Sequence, residues 1–159
     1  MDDEKRAFLR HTVSTLAYRA AKALRDAPAG FAELKASETS RTPHQILLHM
    51  GDLIDWALSI AQGKEAWKEK KAESWQKDTD RFFASLKKLD DYLASGLLLR
   101  NEVERIFQGP IADALTHTGQ ITFLRRLGGA SVRGENYSEA DIQTGRVGKD
   151  QTSPSREFD

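Results

Sequence analysis

The stretch GPIADALTHTGQITFLRRLGG, residues 109–129, carries proline at its start and a glycine pair at its end, the punctuation of one complete helix. Alternating steps of three and four link Asp113, His117, Gln120, Leu124 and Leu127 into a single stripe. The two leucines mark that stripe as core-facing, so Asp113 and His117 are expected to point inward as well. An acid and an imidazole buried without partners would cost several kcal/mol. The stretch therefore predicts a helix that packs in a bundle and a polar site inside that bundle.

The rest of the chain supplies the companions of this helix. Leu9, Val13, Leu16, Ala20 and Leu24 recur with helical period until Pro28 and Gly30 stop them. Thr42 is placed to cap a second helix, with Pro43 at its first position and Gln45 completing a capping box. That helix runs to about Gln62 on a stripe of Ile46, Met50, Leu53, Ala57 and Ile60, with His49 and Trp56 on its flank. A third follows through Phe82, Leu86, Leu89 and Leu93 to near Gly96. The segment LLLRNEVERIFQ (97–108) adds a short helical piece that Gly109 and Pro110 break, so the fourth helix is expected to begin at Pro110.

Between the second and third helices, GKEAWKEKKAESWQKD (63–78) loses the apolar period and reads as a connection. With no strand-like alternation and no internal repeat, residues 1–129 are expected to form an all-α four-helix bundle. Residues 130–159 form a polar, glycine-rich, irregular C-terminal tail with too few apolar residues for a core of its own. Tyr137, Ile142 and Val147 are expected to lie along the bundle, and QTSPSREFD (151–159) to be disordered.

Composition narrows the function classes. The 159 residues suit one domain. Lysine plus arginine equals aspartate plus glutamate at 24 each, so no broad basic field is available for nucleic acid or an anionic membrane. Cysteine is absent, which leaves His, Asp and Glu as metal ligands and excludes a protein thiol nucleophile. The N-terminus MDDEKRAFLRHT is charged and lacks an apolar h-region, and no window reads as a membrane span, so a cytoplasmic protein is expected.

Asp113 and His117 at i, i+4 share one face, within reach of a single cation. His49 is the best third ligand, because it lies seven residues past Thr42 much as His117 lies seven past Pro110. The two imidazoles are level if helices two and four run parallel, and need a stagger if they run antiparallel. Two His and one carboxylate suit zinc, nickel or ferrous iron and leave positions open to water or substrate. The competing reading is a metal-free bundle for dimerisation or partner binding, in which Asp113 and His117 pair with each other and with backbone groups.

TPHQILLHMGDLIDW (42–56) followed by DALTHTGQITFLRRLGG (113–129) resembles the DinB-like (DinB/YfiT) superfamily of bacterial metalloenzymes. The resemblance implies a four-helix bundle with a metal-binding His in helix two, matched by His49, and a His-x-x-x-His pair in helix four. His117, followed by TGQI and LRRLGG, matches the second member of that pair, whereas Asp113 stands where the family has the first His. It implies also a homodimer and a small-molecule substrate. Some relatives are transferases or isomerases that use a low-molecular-weight thiol, and hydrolysis by bound water is the neighbouring chemistry.

Three further residues are candidates for the surroundings of the site. Gln120 lies one turn beyond His117 and is placed to orient it. Asp52 is placed to accept a proton from His49, against the reading of an exposed helix face, and Trp56 to wall a pocket, against simple packing. His11 and His44 read as surface residues. Trp67 and Trp75 among Lys64, Lys68, Lys70 and Lys71 read as a solvated connection, not a nucleic-acid stack, because acids dilute the run. Glu135, Asn136 and Tyr137 are candidate lid residues.

Overall fold

The computed structural model describes residues 2–158. Three helices lie where the periodicity puts them: α1 (Asp2–Leu24), α2 (Pro43–Ala61) and α3 (Trp75–Ala94). The fourth differs. α4 (Val103–Ile106), a π-helical turn (Phe107–Ile111) and α5 (Ala112–Leu127) run on without interruption as one rod. Gly109 and Pro110 therefore do not break it, because the π turn widens the hydrogen-bond ladder where proline cannot donate.

The local signals for α2 act as expected. Thr42 Oγ1 accepts from the Gln45 N–H at 3.2 Å, and Gln45 Oε1 accepts from the Thr42 N–H at 2.9 Å, closing the capping box. Ile46, Met50, Leu53, Ala57 and Ile60 are all buried, as are Leu9, Val13, Leu16, Ala20 and Leu24 of α1 and Phe82, Leu86, Leu89 and Leu93 of α3. Each such large side chain contributes about 1.5–3 kcal/mol by leaving water.

On α5 the buried stripe is offset by one residue from the expected one. Ala114, Thr118, Ile121 and Arg125 face the core together with His117 and Leu124, while Leu127 is 55% exposed and Asp113 and Gln120 lie at the rim. Small and polar residues occupy the centre because their polar atoms are satisfied. Thr118 Oγ1 donates to the Ala114 carbonyl at 2.9 Å, and Arg125 donates to the carbonyls of Ala23, Arg25 and Ala130.

Side-chain bonds fix the helix directions. Arg6 reaches Leu93 and Arg10 reaches Asp90, so α1 and α3 are antiparallel. His44 meets Asp78 and Asp55 meets Ser85, so α2 and α3 are parallel. Ile46 shares a depression with Gln120 and Leu124, whereas Trp56 shares one with Gly109, so α2 and α5 are antiparallel. Parallel neighbours in succession demand a connection that returns along the bundle. α2 is roughly 28 Å long, and residues 62–74, extended at about 3.3 Å each, cover that distance as a strap across α2.

The tail is ordered throughout the described residues. β1 (Gly134–Glu135) pairs antiparallel with β2 (Glu157–Phe158), with Gly134 opposite Phe158. Val147 is buried, as expected, and Ile142 is half-buried. The expected disorder of 151–158 is not found; residue 159 lies outside the described residues. The tail docks on α1 through polar contacts, with Lys22 Nζ 2.7 Å from Glu135 and 3.0 Å from Glu157 and the Gly145 N–H donating to Ser14 Oγ at 3.0 Å, while Gln151 braces it internally by donating to the carbonyls of Arg146 and Gly148. Among the described residues, no helix is long and apolar enough to cross a membrane.

Candidate metal centre

His49 on α2 meets His117 on α5 because the antiparallel register that sets Ile46 beside Leu124 and Trp56 beside Gly109 brings these two imidazoles level between them. The two imidazole centroids are 4.9 Å apart with ring planes at 83°. Asp113, one turn before His117, stands against both: its Oδ2 is 3.5 Å from His49 Nε2 and its Oδ1 is 3.5 Å from His117 Nε2. One ligating atom from each of the three lies within 4.8 Å of the others.

Burial is graded across the triad. His117 is buried, His49 is intermediate, and the Asp113 side chain is 46% exposed at the mouth of the groove between α2 and α5. The expectation that Asp113 is a buried acid is thus corrected, because the α5 stripe is rotated toward Ala114. Gln120 is exposed as a residue, yet its Oε1 lies 2.8 Å from His117 Nδ1. With Nδ1–H as donor, the lone pair of Nε2 faces Asp113 and His49, the orientation a ligand needs. Burial, then His117, then Arg41 hold the proton affinity of His49 below the ordinary histidine value, and Asp113 only partly opposes them. His49 therefore enters neutral solution as an uncharged donor atom.

Trp56 does reach this region. Its ring packs edge-on to Trp67 at 5.8 Å, and Trp67 in turn lies 5.5 Å from the His49 ring. The strap was expected to be solvated, but it lays Trp67 against the site while leaving that residue 43% exposed. Two depressions flank the triad. One, about 440 Å³, is lined by Leu53, Trp56, Asp113 and Thr116, and the other, about 380 Å³, by Arg41, Ile46, His117 and Phe123.

Other expected residues lie elsewhere. Asp52 is buried at 4% exposure, and its Oδ1 accepts from Arg81 Nη2 at 2.5 Å. It faces α3, so it serves neither His49 nor the solvent. His44 is not solvated either, since its Nε2 lies 2.7 Å from Asp78 Oδ2 and its ring packs on Trp75. Trp75 itself opens α3. His11 is exposed, 3.2 Å from Thr144 Oγ1. The proposed lid docks on α1: Glu135 accepts from Tyr18 at 2.6 Å and from Lys22, and Tyr137 stacks near Arg19 and Tyr18. Hydrogen bonding to α1, not closure over the groove, holds that segment.

Arg41, Phe123 and the wall formed by Trp67 were not read from the sequence as parts of the site. Arg41 left one signal, its place directly before the cap of the helix that carries His49. Comparison with known proteins finds no matching family profile, curated protein or solved structure.

Proposed function

We propose that this chain is a DinB-like protein that binds one divalent cation through His49, Asp113 and His117 and uses it on a small molecule. The convergence of three ligating atoms within 4.8 Å, drawn from two helices, carries this reading. Ligand atoms bonded to one zinc ion sit roughly 3.3–3.5 Å apart at bonds of about 2.0–2.1 Å. The two His–Asp separations have that spacing, each to a different oxygen of Asp113, and one donor atom from each of the three residues lies within 4.8 Å of the others.

The donor set fits the ion chemically. Two imidazoles and one carboxylate suit zinc, nickel or ferrous iron. The half-exposed Asp113 leaves the outer side open to substrate. Gln120 holds the tautomer of His117, and Trp67 and Trp56 shield the His49 flank from water. A bound divalent cation would lower the pKa of a small thiol or of water and so supply the nucleophile that a cysteine-free chain lacks. Thiol-dependent transfer is the preferred reaction class, with hydrolysis beside it.

A metal-free polar pair is the weaker reading, because a charge-assisted N–H···O pair closes to about 2.7–2.9 Å and neither His–Asp contact does. The test is elemental analysis after incubation with equimolar zinc, nickel, manganese or ferrous iron. About one metal per chain, lost in His49→Ala while helix content by circular dichroism is retained, is the expected result. No uptake of any of the four would overturn the proposal.

A further inference from the structure

The two depressions beside the triad differ in charge. The one that contains Leu53, Trp56 and Thr116 has no cationic residue in its wall. The other is lined by Arg41, whose position just before Thr42 brings it to the same depression as His117 and Gln120. No carboxylate shares that wall, and Arg41 makes no hydrogen bond or ion pair with a described residue.

The remaining wall of this depression is mostly apolar, with Ile46 and Leu124 beneath and Phe123 at the edge. Phe123 is 61% exposed, a large aromatic surface left to water on the outer side of α5. The volume of about 380 Å³ is within the range of small-metabolite pockets. A guanidinium without an anionic partner, above an apolar floor and next to three converging ligand atoms, has the chemistry of a recognition site. Its planar fork favours a carboxylate, which it binds through two parallel N–H···O contacts.

We infer that the small molecule bound at this site is an organic carboxylate with an apolar body, oriented with its carboxylate on Arg41, its apolar part on Phe123 and Ile46, and its reacting group toward His49, Asp113 and His117. The placement of the reacting group rests on the metal reading above; the anion-selective pocket rests on Arg41 and Phe123 alone. The orientation is directional, since the opposite depression offers the aromatic ring of Trp56 and no cation.

The probes are 4-phenylbutanoate and its neutral isostere 4-phenylbutanamide, titrated by calorimetry into the full chain, once metal-free and once after zinc loading. The acid is expected to bind at least about tenfold tighter than the amide in both preparations. Arg41→Gln should erase that preference while leaving zinc stoichiometry unchanged, and Phe123→Ala should weaken acid and amide alike. Equal affinity of acid and amide, no binding of either at millimolar concentration, or a preference that survives Arg41→Gln would overturn the inference. If zinc fails to bind at all but the metal-free chain shows the Arg41-dependent preference, the metal reading falls and the carboxylate pocket stands.

Discussion

His44 and His49 stand on the same helix, little more than one turn apart, and each faces an aspartate from a neighbouring helix. At His44 the contact is closed: Nε2 is 2.7 Å from Asp78 Oδ2, and the same oxygen accepts the Glu73 N–H at 3.0 Å. Asp78 is 4% exposed, and Trp75 covers the ring. At His49 the carboxylate oxygen is 3.5 Å away, a second imidazole shares the same aspartate, and that aspartate opens to solvent. Identical residue types thus serve opposite ends. Where the protein itself consumes the hydrogen-bonding capacity of a His–Asp pair, the pair holds helices together; where lone pairs and oxygens face one another across a gap, that capacity is left unspent, which is what the proposed cation site rests on.

The most decisive way to break this comparison is to remove one imidazole from each group. His117→Ala should reduce bound metal from about one per chain to none, with helix content near that of the parent. Asp113→Ala should do the same. His44→Ala should leave metal stoichiometry untouched, as read by elemental analysis of the purified variants. Full metal retention in His117→Ala would erase the distinction.

The second effect is on stability and runs the other way. His44→Ala leaves Asp78 buried with the Glu73 N–H as its remaining partner and should cost about 1–3 kcal/mol in urea denaturation. His117→Ala and Asp113→Ala, whose partners remain open to solvent or loosely paired, should cost less. A smaller effect belongs to Gln120→Ala, which frees the His117 ring to rotate. It should weaken metal affinity by about tenfold, the low end for lost outer-shell partners, measured by competition with a chromophoric chelator.

The smallest effect sharpens the idea of closure in a third ionic group. Burial and the hydrogen bond to Glu135 push the Tyr18 hydroxyl up, well above the ordinary tyrosine value. Burial opposes the charge of Lys22, but its hydrogen bonds to Glu135 and Glu157 outweigh that and raise its pKa. Raised folded-state values mean that this stabilisation is complete below the ordinary lysine and tyrosine ranges and is lost as pH rises through the folded values. Urea denaturation across pH should therefore show level stability from neutrality to about pH 10, then a decline in which the β1–β2 tail loosens first. A decline already present at about pH 8–9, roughly two units below the ordinary lysine range, would contradict this closed arrangement.

Much of the fold was legible because its signals are local. The apolar steps of α1, α2 and α3, the Thr42–Gln45 capping box and the loss of period over the strap act within a few residues of themselves. Gly109 and Pro110 misled for the same reason: proline is a local breaker, and a π turn inside a packed rod absorbs it. The triad was legible from the i, i+4 spacing of Asp113 and His117 and from the flank position of His49. Its rim position was not, because Ala114 and Thr118 carry no strong apolar signal, so the leucines drew the stripe one residue away. Asp52 and His44 were misread because Arg81 and Asp78, which pair with them, lie on α3.

By itself the sequence determined that the chain is helical, where α2 begins and where α1, α2 and α3 end, and which three side chains are able to meet. Periodicity, caps and residue chemistry are properties of short segments, and short segments carry them into any fold. Only the tertiary structure decided that α2 and α5 run antiparallel with His49 level with His117, that Asp113 stays open while Asp78 closes, and that Arg41 and Phe123 share a pocket. Those outcomes depend on packing between elements distant in sequence, where a single-residue rotation of a helix moves a side chain by about 100° and turns a buried partner into an exposed one.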